Sequence, residues 1–222
     1  MNLSRKISLT AGIFYLLTFV SIPTLALYGQ VKSANYILGA GPDTPALVGG
    51  ILEVIVALAG IGTAVVLFPV LKKQNEILAI GLIASRVLEA ATIFVGVAFI
   101  LSIVSLRQSG VGEAGLISSQ ILSALYSRIF LLGQSFLPAI NDVLLGVLLY
   151  QSRLVPRPLS LIGIIGAFPL IAGYLAVFFG IIGPQSPMAG LAAIMVALFE
   201  LSLGLWLVIK GFNASAVTKL LR

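Results

Sequence analysis

The chain has 222 residues, of which 59% are hydrophobic and only 9% charged, and it carries a net charge of +6. Soluble domains devote about 25% of their residues to charge, so this composition excludes an ordinary soluble fold and leaves a membrane-embedded one. Cysteine and histidine are both absent, which excludes disulfides, thiolate and histidine metal sites, bis-histidine haem, cysteine nucleophiles and any Ser–His dyad.

Six apolar blocks follow one another, each long enough to cross a hydrocarbon core of ~30 Å as a helix. They run from Ile7 to Tyr28, Ala46 to Leu71, Ile77 to Leu106, Ile129 to Tyr150, Leu159 to Ile182 and Met188 to Ile209. Helices satisfy their own backbone in lipid, and the alternating strands of a membrane β-barrel are missing. The pattern predicts an all-α integral membrane bundle of six transmembrane helices, forming one domain over residues 1–222. The N-terminus has basic residues, an apolar stretch and "TLA" at 24–26. That stretch is longer than the 7–15 residues of a signal-peptide core, so it reads as an uncleaved first span.

The basic residues set the orientation. Arg5, Lys6, Lys72, Lys73, Arg153, Arg157, Lys210, Lys219 and Arg222 flank one set of span ends, whereas Lys32, Arg107 and Arg128 flank the other. The excess marks the cytoplasmic side, placing both termini in the cytoplasm of a cell whose plasma membrane holds the chain. With their places at span ends, these cations act as topology signals. No basic run with interleaved aromatics exists, and a nucleic-acid partner is excluded. Lys72, Lys73, Arg153 and Arg157 form an inner rim suited to anionic lipid headgroups. No protein partner is legible.

The cytoplasmic links, "KKQNE" and "QSRLVPRP", are short. On the outer side, residues 29–45 contain the turn-forming "GAGPDTP", and "GPQSP" closes the last hairpin. Residues 107–128 end in "LISSQILSALYSR", where Ile117, Ile121, Leu122 and Leu125 share one helical face. This piece reads either as an interfacial helix over 116–127 or as an extension of the fourth span.

Several ionisable groups fall inside the blocks. At 1.5 Å per residue, Glu89 and Glu200 lie near the midplane, with Asp142 close to it. Arg86 lies in the cytoplasmic half and Glu53 in the outer third. Two charges in the third span cost about 5–7 kcal/mol on insertion scales, so they must face the interior, find partners or stand protonated. Arg86 and Glu89 are three apart and share a helix face. They read either as an internal ion pair that fixes packing, or as part of a polar cavity with Glu200 or Asp142. Glu53 reads as snorkelling outward, and Tyr28, Tyr150 and Trp206 as interfacial anchors.

The fourth span contains "GQSFLPAINDVLLG". Pro138 cannot donate to the carbonyl of Gln134 and predicts a kink, with Asn141 and Asp142 within one turn of the break. Broken helices with adjacent polar groups build midplane sites in carriers; the plainer reading is a tolerated kink with Asn141 bonded to a neighbouring helix. Gly163, Gly166 and Gly173 around Pro169 favour close helix contact. The candidate polar site is therefore Arg86, Glu89, Asn141, Asp142 and Glu200, with Pro138 as helix break. No catalytic residue, metal or cofactor is assigned.

The strings "VLFPVLKKQNEILAIGLIASRVLEA" at 66–90, "LLYQSRLVPRPLSLIGIIGA" at 148–167 and "LFELSLGLWLVIKGF" at 198–212 resemble a bacterial multi-span membrane family catalogued as domain of unknown function 4386. The resemblance is strongest at Arg86-x-x-Glu89 and at Leu154-Val-Pro-Arg157; the family commonly has an aromatic after that arginine, where Pro158 stands here. It implies a six-helix integral membrane protein and no activity. Three functions follow from the residues: a small carrier or proton-linked permease working through the midplane acids; a non-catalytic accessory, immunity or sensor protein with a sealed core; and a histidine-free intramembrane enzyme on a lipid-like substrate, for which no Asp-rich metal motif or activated nucleophile is present.

Overall fold

The computed structural model describes residues 2–220, and among them there are helices and no strand. Arg222 of the basic set lies outside the described residues. Six helices are long and apolar enough to cross a membrane: α1 (Leu3–Leu27), α2 (Thr44–Leu71), α3 (Glu76–Gln108), α4 (Gly112–Ser152), α5 (Arg157–Phe178) and α6 (Pro187–Ile209). A short α7 (Ala214–Leu220) follows.

The sequence explains how these helices start. The side chains of Asn2, Asn75 and Ser186 accept the backbone N–H of Arg5, Leu78 and Ala189, capping α1, α3 and α6. Pro45 and Pro187 stand in first turns, where a missing N–H leaves nothing unpaired. In α1 the regular helix gives way to a 3₁₀ turn over Thr18–Ser21. Pro23 follows, and it cannot continue an α-helical ladder behind it.

Each long helix packs on its sequence neighbours, and α6 closes the ring on α1. The closing seam is tight: a Cβ on Gly12 would stand 2.8 Å from the Gly204 carbonyl oxygen. The Arg5 guanidinium donates to the terminal carbonyls of α6, at Leu207 (2.9 Å) and Val208. It thereby satisfies acceptors a helix end leaves free and holds the two ends of the chain at one end of the bundle. That half of the ring is filled by Ala11, Tyr15, Leu67, Leu71, Leu82, Leu145, Phe199, Leu203 and Leu207, all buried. The outer faces carry exposed Ile51, Leu58, Phe168, Leu191 and Leu198, an apolar surface that needs a lipid environment.

Two expectations change, and one pair of alternatives is decided. The segment at 116–127 is helical and runs without interruption into the fourth span, so it extends that span. Ile117, Ile121 and Leu125 point away from the bundle while Ser119 and Tyr126 are buried; amphipathicity over about two turns does not distinguish lying on a surface from packing beside α3. Arg128 consequently stands inside a helix and not at its end. Glu53 does not snorkel: it is 1% exposed, held by donors from three other places in the chain. Tyr28 is not an interfacial anchor, because its ring is fully buried and its hydroxyl is one of those donors.

Candidate functional site

The third span brings Arg86 and Glu89 to the same face of α3, and the guanidinium Nη1 donates to Glu89 Oε2 at 2.9 Å. Its Nη2 donates across the ring to Glu200 Oε1 of α6 at 2.6 Å. Helices α3 and α6 are not neighbours in the ring, so this bond crosses the interior. Asn141 of α4 donates its side-chain amide to Glu89 Oε2 at 2.7 Å. Arg86, Glu89, Asn141 and Glu200 thus meet in one cluster. The Arg86 guanidinium lies 5.8 Å from the ring centre of Tyr15 on α1, a buried residue the sequence did not single out.

Asp142 is completely buried beside this cluster, and both its carboxyl oxygens lack a hydrogen-bond partner among the described residues. Arg86 Nε, Asn141 Oδ1 and Tyr15 OH are likewise without partners. Buried polar atoms are normally satisfied, so such a concentration around one arginine sets this layer apart from the rest of the bundle.

The break before Pro138 takes a different form from a simple kink. Residues Leu131–Phe136 are π-helical, and the α-helical pattern resumes at Leu137 with Pro138 in its first turn. There the proline's missing N–H is tolerated, and the wider turn matches the association of π-helical insertions with functional sites. Gly133 allows the widened turn to press against α3: a Cβ there would stand 1.9 Å from Thr92 Oγ1.

A cavity of about 440 Å³ reaches from Ile22, Leu25 and Pro184, at the end away from the termini, down to Arg86, Glu89 and Glu200. Its walls are mostly apolar, with Thr18, Gln134, Ser135 and Tyr174 adding polar groups. Beneath the ion cluster the buried residues Tyr15, Leu82, Leu145, Phe199 and Leu203 fill the ring. The volume lies within the ~300–1,000 Å³ of small-molecule sites.

A second buried carboxylate stands apart. Glu53 accepts from Tyr126 OH at 2.8 Å, Tyr28 OH at 3.2 Å and Gln134 Nε2 at 3.3 Å, and Lys32 Nζ sits 4.0 Å above the Tyr126 ring. Burial pushes the Lys32 ammonium down from its ordinary range, and the Glu53 carboxylate opposes that. Gln134 links this group to the cavity wall. Its only signal in the sequence was a polar residue four positions before a proline.

At the end bearing the termini, a second cavity of about 430 Å³ is lined by Arg153, Arg157, Trp206, Lys210 and Asn213, among others. Arg153 adopts a left-handed backbone, with φ of 57°. Trp206 donates its ring N–H to the Gly211 carbonyl at 3.1 Å, and Asn213 N–H donates to the Leu154 carbonyl at 2.9 Å.

No curated protein and no solved structure matches the chain. A sequence family does, and its match extends over residues 10–211, taking in α2 to α6, most of α1, the ion cluster and most of the basic pocket. The chain belongs to the family described as Domain of unknown function (DUF4386).

Proposed function

We propose that this protein is a small membrane carrier or proton-linked permease, whose solute occupies the cavity above Arg86, Glu89 and Glu200. The observation that carries the reading is one cavity ending on a buried ion cluster in mid-bundle, with an apolar plug beneath it. That is the arrangement of a carrier with its site accessible from one side. Asp142, unpartnered behind the cluster, is the residue we assign to carry the proton. The π-helical turn before Pro138 and Gly166 beside Pro169 are where α4 and α5 would bend.

The excess of basic residues at the end bearing the termini supports a cytoplasmic location for both termini in a plasma membrane. The cavity then faces outward, and the basic pocket at Arg153, Arg157 and Lys210 meets the anionic headgroups of the inner leaflet. The accessory-protein reading requires a sealed core and fits the cavity poorly.

The test is proteoliposomes with an imposed pH gradient. Solute uptake that follows the gradient and vanishes in Asp142→Asn supports the reading. Uptake indifferent to the gradient, or unchanged in that variant, removes the proton link; absence of any flux across solute classes removes the carrier.

A further inference from the structure

The floor of the cavity has a chemical bias. Glu89 receives Arg86 and Asn141 on Oε2 alone, and Glu200 receives Arg86 on Oε1 alone. Glu89 Oε1 and Glu200 Oε2 are left with no donor among the described residues, on side chains 12% and 14% exposed. Two carboxylate oxygens therefore border the cavity unanswered, while each Nη of the single arginine there gives one bond to a carboxylate. Arg86 Nε is also unpartnered, but the atom is buried and offers the cavity no donor.

Charge points the same way. With Glu89 and Glu200 both ionised, one guanidinium stands against two carboxylates in contact with it, and the floor is one positive charge short in an apolar setting, where an unanswered charge is costly. An ammonium offers up to three donors and one positive charge, matching both deficits. The walls favour the rest of such a molecule. Phe19, Phe130 and Val56 are apolar, and Tyr174, packed on Phe136 at 4.8 Å between ring centres, adds an aromatic group to the wall. On α6 the small residues Ala189, Gly190 and Ala193 keep the space open.

We infer that the ligand of this cavity is a monovalent organic cation, a primary or substituted ammonium on an apolar body small enough for about 440 Å³, with its nitrogen between Glu89 and Glu200. The inference rests on the carrier reading for its biological sense but not for its test. An anionic solute would meet two carboxylate oxygens on that floor, and a neutral one would leave their charge unanswered.

The experiment compares three matched probes, 4-phenylbutylamine, 4-phenylbutanol and 4-phenylbutyrate, by isothermal titration against the full protein in lipid nanodiscs at pH 7. The amine should bind at least tenfold more tightly than the alcohol, with the carboxylate weakest. Glu200→Gln should cost the amine at least tenfold and leave the alcohol unchanged. Ala193→Phe, which keeps every charge and fills the space, should weaken amine and alcohol together, and it serves if the glutamate variant does not fold. Equal binding of the three probes, or preference for the carboxylate, overturns the inference. Selective amine binding without flux under a pH gradient keeps the ligand class and removes the carrier; gradient-driven flux of another solute without amine preference does the reverse.

Discussion

The ion cluster makes a prediction in which two buried acids, Glu200 and Asp142, and the arginine beside them respond differently to substitution. Glu200→Gln removes the charge from a 2.6 Å bond to Arg86, but Arg86 keeps Glu89. A hydrogen bond to a charged group contributes about 1.5–3 kcal/mol net; because glutamine still accepts weakly, the loss should be about 1–2 kcal/mol. Arg86→Met leaves Glu89 and Glu200 uncompensated together, and removing one side of a buried pair costs about 3–5 kcal/mol. At ~2–4 °C per kcal/mol for a chain of this size, that variant should melt ~6 °C or more below wild type. Asp142→Asn breaks no bond, because neither oxygen has a partner, so its melting temperature should stay the same or rise. The assay is thermal unfolding of the purified protein in one mild detergent at pH 7. If Asp142→Asn falls as far as Glu200→Gln, Asp142 has a charged partner that this geometry does not provide. If Arg86→Met is no worse than Glu200→Gln, the arginine is not the hub of the cluster.

Gly133→Ala should destabilise by about 1–3 kcal/mol, the usual range for overpacking, since its Cβ would fall 1.9 Å from Thr92 Oγ1; thermal unfolding reads this. Tyr126→Phe removes the 2.8 Å donor to Glu53 and should lower stability by about 1.5–3 kcal/mol, whereas in Glu53→Gln the same tyrosine change should cost much less. Hydrogen bonds from Tyr36 (2.6 Å) and Gln108 (2.9 Å), and then the Arg107 guanidinium (2.8 Å), hold the Asp43 carboxyl below its ordinary range. Its contribution is therefore complete above the ordinary carboxylate pKa of about 4 and is lost as pH falls through the lower folded value. The stability gap between wild type and Asp43→Asn should be constant from pH 7 to 5 and close as pH is lowered towards 3. Arg153→Gly relieves a left-handed backbone worth about 1 kcal/mol while removing a cation from the basic pocket. It should raise stability in neutral-lipid nanodiscs and weaken the preference for anionic over zwitterionic lipid in native mass spectrometry; an unchanged preference would mean the pocket does not select headgroups.

What could be read in advance follows sequence separation. Spans are local, since hydropathy over some 20 residues reports them directly, and Arg86 with Glu89 is local, since three residues on a helix share a face. Glu200 is 114 residues from Arg86 and reaches it across a ring whose order the sequence does not state. Glu53 was misread for the same reason. Its donors are 25, 73 and 81 residues away, so depth alone made snorkelling the natural expectation. Tyr28, at the end of its apolar block, reads as an interfacial anchor because the Glu53 it donates to is 25 residues away. The fourth helix begins early because serine and glutamine in "LISSQILSALYSR" lower hydropathy without opposing helix formation, and α3 gives Tyr126 a surface at Gly96.

The bundle buries carboxylates in three ways, and the differences argue for where function resides. Glu53 is held by three neutral donors that tie α2 and α4 to the segment after α1; a group so fully answered serves as a fastening. Glu89 and Glu200 are each answered on one oxygen and open on the other, at the floor of a cavity. Asp142 is answered on neither. A protein needing only stability gains by replacing such groups with packed hydrocarbon, and local conflicts of this kind concentrate where a sequence serves something other than folding. The layer from Asp142 to Glu200 is where this bundle departs furthest from the arrangement that packing alone would favour, and it lies where the cavity ends.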